Sequence, residues 1–129
     1  MTAVADGPIV RARNGEVVQD LDGDGNEQTG WAVLYMHIDA TDRVQSGSVL
    51  HAGDRIGHPS CEGGVSNGTH VHLARRYNGQ WIAADGLLPF VLDGWTSAGL
   101  GAEYDGTMTR GDVRLEACGC RNEENQIGR

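Results

Sequence analysis

Residues 70–84, "HVHLARRYNGQWIAA", decide how this chain is read. Apolar and polar residues alternate on both sides of Asn78-Gly79, a pair suited to the left-handed conformations of a type I′ turn. The stretch is therefore expected to be a two-stranded hairpin. Within its first strand side chains alternate, so His70, His72, Ala74 and Arg76 share one face. With a two-residue loop Tyr77 faces Gln80, Arg76 faces Trp81 and His72 comes opposite Asp85. Asp85 would then be close enough to orient the His72 ring.

Working outward, the same strand-and-turn text recurs. "IVRARNGEVVQD" is two short strands about Asn14-Gly15, and "WAVLYMHI" (31–38) is a strand. There Val33, Tyr35 and His37 share one face and Ala32, Leu34 and Met36 the other. "RVQSGSVLHAGDRIG" sets short apolar segments between glycines. "GLLPFVLDGW" is apolar but broken by Pro89, which argues for a loop or edge segment. "EYDGTMTRGDVRLEA" reads as a last hairpin, and the tail "RNEENQIGR" is polar. The expected fold is a compact, mostly antiparallel all-β domain with short hairpins and little helix. Its bounds are residues 1–95, followed by a C-terminal extension over 96–129.

Composition narrows the function. The chain has 129 residues, 20 of them glycine, and a formal charge of −8. That charge argues against binding a phosphate backbone, which wants a basic stripe. No apolar run is long enough to span a membrane, and "MTAVADGPIV" has neither the basic start nor the apolar stretch of a signal peptide. A biotinyl- or lipoyl-like module, suggested by "VLHAGDRIG", requires a lysine at a hairpin tip. The chain contains no lysine.

Three groups of side chains invite chemistry. His70 and His72, joined by His37 from a neighbouring strand, would gather three imidazoles, which suits zinc or a metal ligand with an acid/base pair. His51 and His58 flank "AGDRIG" and either would line a groove. "DLDGDG" places Asp20, Asp22 and Asp24 in the opening rhythm of a calcium loop, although the position of the closing glutamate holds Trp31. The alternative is an acidic, solvated hairpin loop. Cys118 and Cys120 would need Cys61 and a distant histidine to close a tetrahedral zinc site.

Taken in order, "VADG", "VLYMHID", "RVQSGSVLHAGDRIG" and "GTHVHLARRYNG" resemble the lysostaphin-type (LytM-like) zinc metallopeptidases, which cut peptide cross-links in bacterial cell walls. The likeness covers roughly residues 3–76. It implies that His72 is a zinc ligand, and that His37 and His70 polarise the attacking water and stabilise the tetrahedral intermediate. It also implies a cell-envelope or extracellular setting and peptidoglycan peptide as partner. In that family two further zinc ligands come from an H-x-x-x-D element ahead of the strand that Val4–Gly7 matches. No histidine precedes His37 in this sequence. The expectation is thus an incomplete or inactive form of the peptidase, with a non-catalytic module binding peptidoglycan or a protein partner as the alternative. The likeness gives no role to residues 86–129.

Overall fold

The computed structural model describes residues 1–102, 105–119 and 127. Among them there is no helix, and the ten strands form two antiparallel sheets. The chain divides into two compact units, Met1–Ile82 and Ala83–Arg129. "GLLPFVLDGW", which the sequence reading kept in the first domain, lies in the second unit.

In the first unit the strands are β1 (Gly7–Arg13), β2 (Glu16–Asp20), β3 (Trp31–Met36), β4 (Val49–Leu50), β5 (His72–Tyr77) and β6 (Gln80–Ile82), in the sheet order β4-β1-β2-β3-β5-β6. The β1–β2 and β5–β6 hairpins turn on Asn14-Gly15 and Asn78-Gly79, all four residues at positive φ as a type I′ turn requires. One sheet face carries Ile9, Val17, Val33 and Tyr35, packed with Ala3, Ile38, Leu50 and Ile56. The opposite face carries Val18, Ala32 and Leu34, with Met36 and Ala74 beside them. Both faces of β3 are thus covered, which explains why "WAVLYM" is apolar throughout.

Tyr35 anchors the start of the chain. Its hydroxyl is wholly buried, accepts the Val4 N–H at 2.9 Å and donates to Gln19 Oε1 at 2.8 Å. Gln19 Nε2 in turn donates to the Ala5 carbonyl at 2.8 Å. Burial pushes the Tyr35 phenol up to about 12, so it stays a neutral donor. In the Tyr-x-His strand the tyrosine is a core tether and the histidine is left for chemistry.

The second unit holds β7 (Val91–Leu92), β8 (Trp95–Gly99), β9 (Gly106–Arg110) and β10 (Val113–Glu116), ordered β10-β9-β8-β7. Asp93 and Gly94, both at positive φ, turn β7 into β8. The segment broken by Pro89 is therefore an edge strand, as expected, but it also starts a hairpin. Trp95 is buried, with the Arg110 guanidinium 4.7 Å from its ring centre. The "TMTRGDVRLE" hairpin forms as β9 and β10.

Candidate active site

The register of β3 against β5 sets the site. Tyr35 pairs with Leu73 and Met36 with His72. Directly opposite residues of an antiparallel pair point to the same face. His72 therefore lies on the Leu34–Met36 face, opposite Tyr35. Strict alternation would send His37 to the Tyr35 side, away from His72. The strand instead ends at Met36, and His37 takes the left-handed conformation, φ 63°. That conformation costs a non-glycine residue on the order of 1–2 kcal/mol, and it reverses the ring's side. The His37 ring centre comes to 4.4 Å from His70 and 6.4 Å from His72. The expected convergence occurs, though not by the shared strand face from which it was argued.

Loop backbone completes the arrangement. Ser60 donates its N–H to the His37 carbonyl at 2.6 Å and its Oγ–H at 3.2 Å, and it bridges to His70 on its other side. His37 is buried and its Nδ1 lies 3.0 Å from the Glu62 carbonyl. A carbonyl only accepts, so the neutral ring carries its proton on Nδ1 and leaves Nε2 as the acceptor. His70 Nδ1 meets the Gly68 carbonyl at 2.8 Å, which selects the same tautomer. His72 is pushed below the ordinary imidazole value by desolvation and by the neighbouring His37 and His70, which favours the neutral form a metal needs.

These three histidines do not form a closed cage. Among the described residues, only Asp20, Asp22 and Asp24 bring one ligand atom each within 4.8 Å of one another. A catalytic zinc normally takes three protein ligands and a water. The donor chemistry here fits zinc at one position, His72, with the other two imidazoles beside it.

The aspartate loop is organised differently. Burial works to raise the Asp20 carboxyl, but hydrogen bonds from Asp22 and from the Gly25, Asp22 and Gly23 backbone outweigh it and hold Asp20 low. Its two oxygens accept from Asp22 N at 3.2 Å and Gly25 N at 2.8 Å. Asp24 accepts from Asn26 N at 2.8 Å and from the Thr29 hydroxyl. The Asp22 carboxyl, raised mainly by its hydrogen bond to Asp20, lies where a side chain on Gly30 would be. The oxygens that a calcium ion would want are engaged in turns.

The remaining candidates lie elsewhere. The β5–β6 ladder runs from Tyr77↔Gln80 through Arg76↔Trp81 to Arg75↔Ile82 and ends there. It does not continue to His72 and Asp85, because the chain leaves the strand after Ile82. Asp85 belongs to the second unit, against Gly99. Arg76 stacks on Trp81 at 4.1 Å, as the register implied. His58 is exposed and its ring meets the Arg55 guanidinium, while exposed His51 lies 3.6 Å from Asp54. Cys118 is disulfide-bonded and Cys61 is a free, exposed thiol. The thiol cage drawn from Cys61, Cys118 and Cys120 therefore loses a ligand, and Cys120 itself lies outside the described residues. Ser60, Glu62 and Gly68, which build the histidine site, act through backbone groups or short loop contacts that no residue pattern announces.

The model of peptidase family M23 matches residues 1–84. Protease LasA of Pseudomonas aeruginosa, in each of two strains, is 34% identical over 65 residues, which is 45% of this chain and 15% of that protein. The chain thus spans a small part of the curated relative it matches. A solved structure, the M23 metalloprotease pseudoalterin from the deep sea, superposes with a TM-score of 0.69 at 22% identity. The match covers 90% of this chain and 68% of that one, and it shows the shared all-β fold.

Proposed function

Because the chain belongs to peptidase family M23, we propose that its histidine patch is the reaction centre of a zinc peptidase domain directed at cell-wall peptide cross-links. The observation that carries this is the gathering of His37, His70 and His72 on one side of the sheet, made by a left-handed His37. His72 is the zinc ligand. Zinc, when bound, acidifies a water and polarises the scissile carbonyl.

The chain's own residues then handle protons. His37 and His70 each give their Nδ1–H to a backbone carbonyl, so each presents Nε2 to the reacting groups. One neutral ring accepts the proton of the attacking water. The other supports the oxyanion only by donating, so it carries a proton on both nitrogens. Division of labour between identical tautomers thus needs one extra proton on the pair.

A single histidine ligand does not hold a catalytic zinc, and His37 and His70 are spent on proton transfer. This sequence by itself is an incomplete or inactive form, completed by an H-x-x-x-D element in the same polypeptide. Its setting is the cell envelope or the extracellular space. Calorimetric titration with zinc is expected to show weak binding that His72→Ala abolishes. A glycine-rich cross-link peptide should be cut only when the H-x-x-x-D segment is supplied. Turnover by this sequence alone would refute the ligand count. The unclosed histidine set also favours a second reading, a module that binds peptidoglycan peptides or a partner without cutting. Undiminished binding of that peptide in chelator would support it.

A further inference from the structure

The left-handed His37 is held by more than its own backbone. Its Nδ1–H donates to the Glu62 carbonyl at 3.0 Å, and that carbonyl is fixed from two directions. From one side, a Cβ built on Gly15 would lie 2.4 Å from the Glu62 carbonyl oxygen. A Cβ on Gly63 would lie 2.5 Å from the Asn14 carbonyl oxygen. The tip of the β1–β2 hairpin and the Glu62–Gly63 peptide therefore touch backbone to backbone, with no room for a methyl group. The same tip accepts the Ile38 N–H at the Gly15 carbonyl, 3.0 Å away. From the other side, the Glu62 carboxylate accepts the Ala40 N–H at 2.9 Å and lies 3.4 Å from Arg43 Nη1. Arg43 Nη1 also donates to the Ile38 carbonyl at 3.0 Å.

We infer that this clamp, the Gly15–Gly63 contact together with the Arg43–Glu62 pair, is a positioning device that selects the tautomer of His37. It aims the Glu62 carbonyl at Nδ1 and so keeps Nε2 free for proton transfer. An imidazole free in water prefers its proton on Nε2, the opposite choice, so the clamp works against the intrinsic bias of the ring. The inference rests on His37 being a proton-handling residue, but its test needs neither zinc nor turnover. His70 provides an internal reference, because its Nδ1–H goes to the Gly68 carbonyl within its own loop.

Nitrogen-detected NMR of the histidine-labelled chain, in chelator and at a pH where the imidazoles are neutral, reads the tautomers directly. Wild type should show the Nδ1–H form at His37 and at His70. Gly15→Ala pushes a methyl group onto the accepting carbonyl, and His37 should lose the Nδ1–H form until the Nε2–H form predominates. Glu62→Ala removes the carboxylate clamp while keeping the carbonyl, and should give a mixture at His37. Glu62→Gln retains an amide oxygen for Ala40 and Arg43 and should restore the wild-type tautomer. His70 should be unchanged throughout.

An Nε2–H form at His37 in wild type overturns the inference. So does an unchanged His37 tautomer in folded Glu62→Ala, which decides the matter if Gly15→Ala fails to fold. If the tautomers behave as expected but zinc does not bind at His72, the clamp stands and the peptidase reading falls.

Discussion

The histidine patch and the aspartate loop both look like metal sites in sequence, and they differ in what the fold leaves unspent. In the loop, both Asp20 oxygens and both Asp24 oxygens accept hydrogen bonds from nearby donors. In the patch, His37 and His70 each commit one nitrogen to a carbonyl and keep the other. Proximity of ligand atoms is better in the loop, yet availability is better in the patch. A site for chemistry is marked by polar atoms held in place but not consumed.

The sharpest way to break this contrast is to delete one member of each group. Asp20→Ala removes a buried acceptor and leaves the Asp22 and Gly25 N–H groups without their partner. A buried donor left unmet costs about 1–3 kcal/mol, so the two together should lower urea-unfolding stability by at least ~2 kcal/mol. His72 is exposed and lies at the end of its strand. His72→Ala should stay within about 0.5 kcal/mol of wild type, as surface changes do. Equal costs at the two positions would erase the distinction between a structural loop and a functional patch.

That contrast also shows which features were legible beforehand. The Asn-Gly turns, the hairpin registers next to them and the alternation of β3 all follow from local rules, and these stand in the fold. The Asp93-Gly94 hairpin was hidden by Pro89, whose breaking effect was given more weight than the turn pair beyond it. The His72–Asp85 pairing came from extending a correct register past Ile82, where the second unit begins and the ladder stops. The side on which His37 lies was not legible at all. Alternation assigns it to Tyr35, and only a long-range contact between a hairpin tip and the Glu62–Gly63 peptide accompanies its reversed conformation. Local sequence rules describe elements well and the loops that cross between them poorly.

A second test separates the groups by ion rather than by deletion. A ligand at tenfold excess over its dissociation constant stabilises a fold by about 1.4 kcal/mol. Millimolar calcium should leave the thermal midpoint unmoved, because the loop oxygens already satisfy backbone donors and Asp22 shares a hydrogen bond with Asp20. Zinc near or above its dissociation constant should raise the midpoint, and His72→Ala should abolish the rise. A calcium-dependent rise lost in Asp24→Ala would return the loop to the list of cation sites.

The smallest expected effect lies in the pH dependence of stability, where the two groups act in separate windows. His72 has its folded pKa below the ordinary value near 6.5, first through desolvation and then through His37 and His70. As pH falls through 6.5 the unfolded chain takes its proton first, so the folded state loses ground until the lower folded value is passed. Stability from His72 is thus present above 6.5 and declines just below it. Asp20, held below the ordinary 3.8 despite its burial, keeps its contribution through that window and loses it only in the carboxylate range. Urea titrations in chelator should resolve two declines. His72→Gln should flatten the first and leave the second, while His70→Gln, by removing a neighbouring charge, should move the first toward 6.5. A first decline untouched by either substitution would mean that the patch does not feel its own charges.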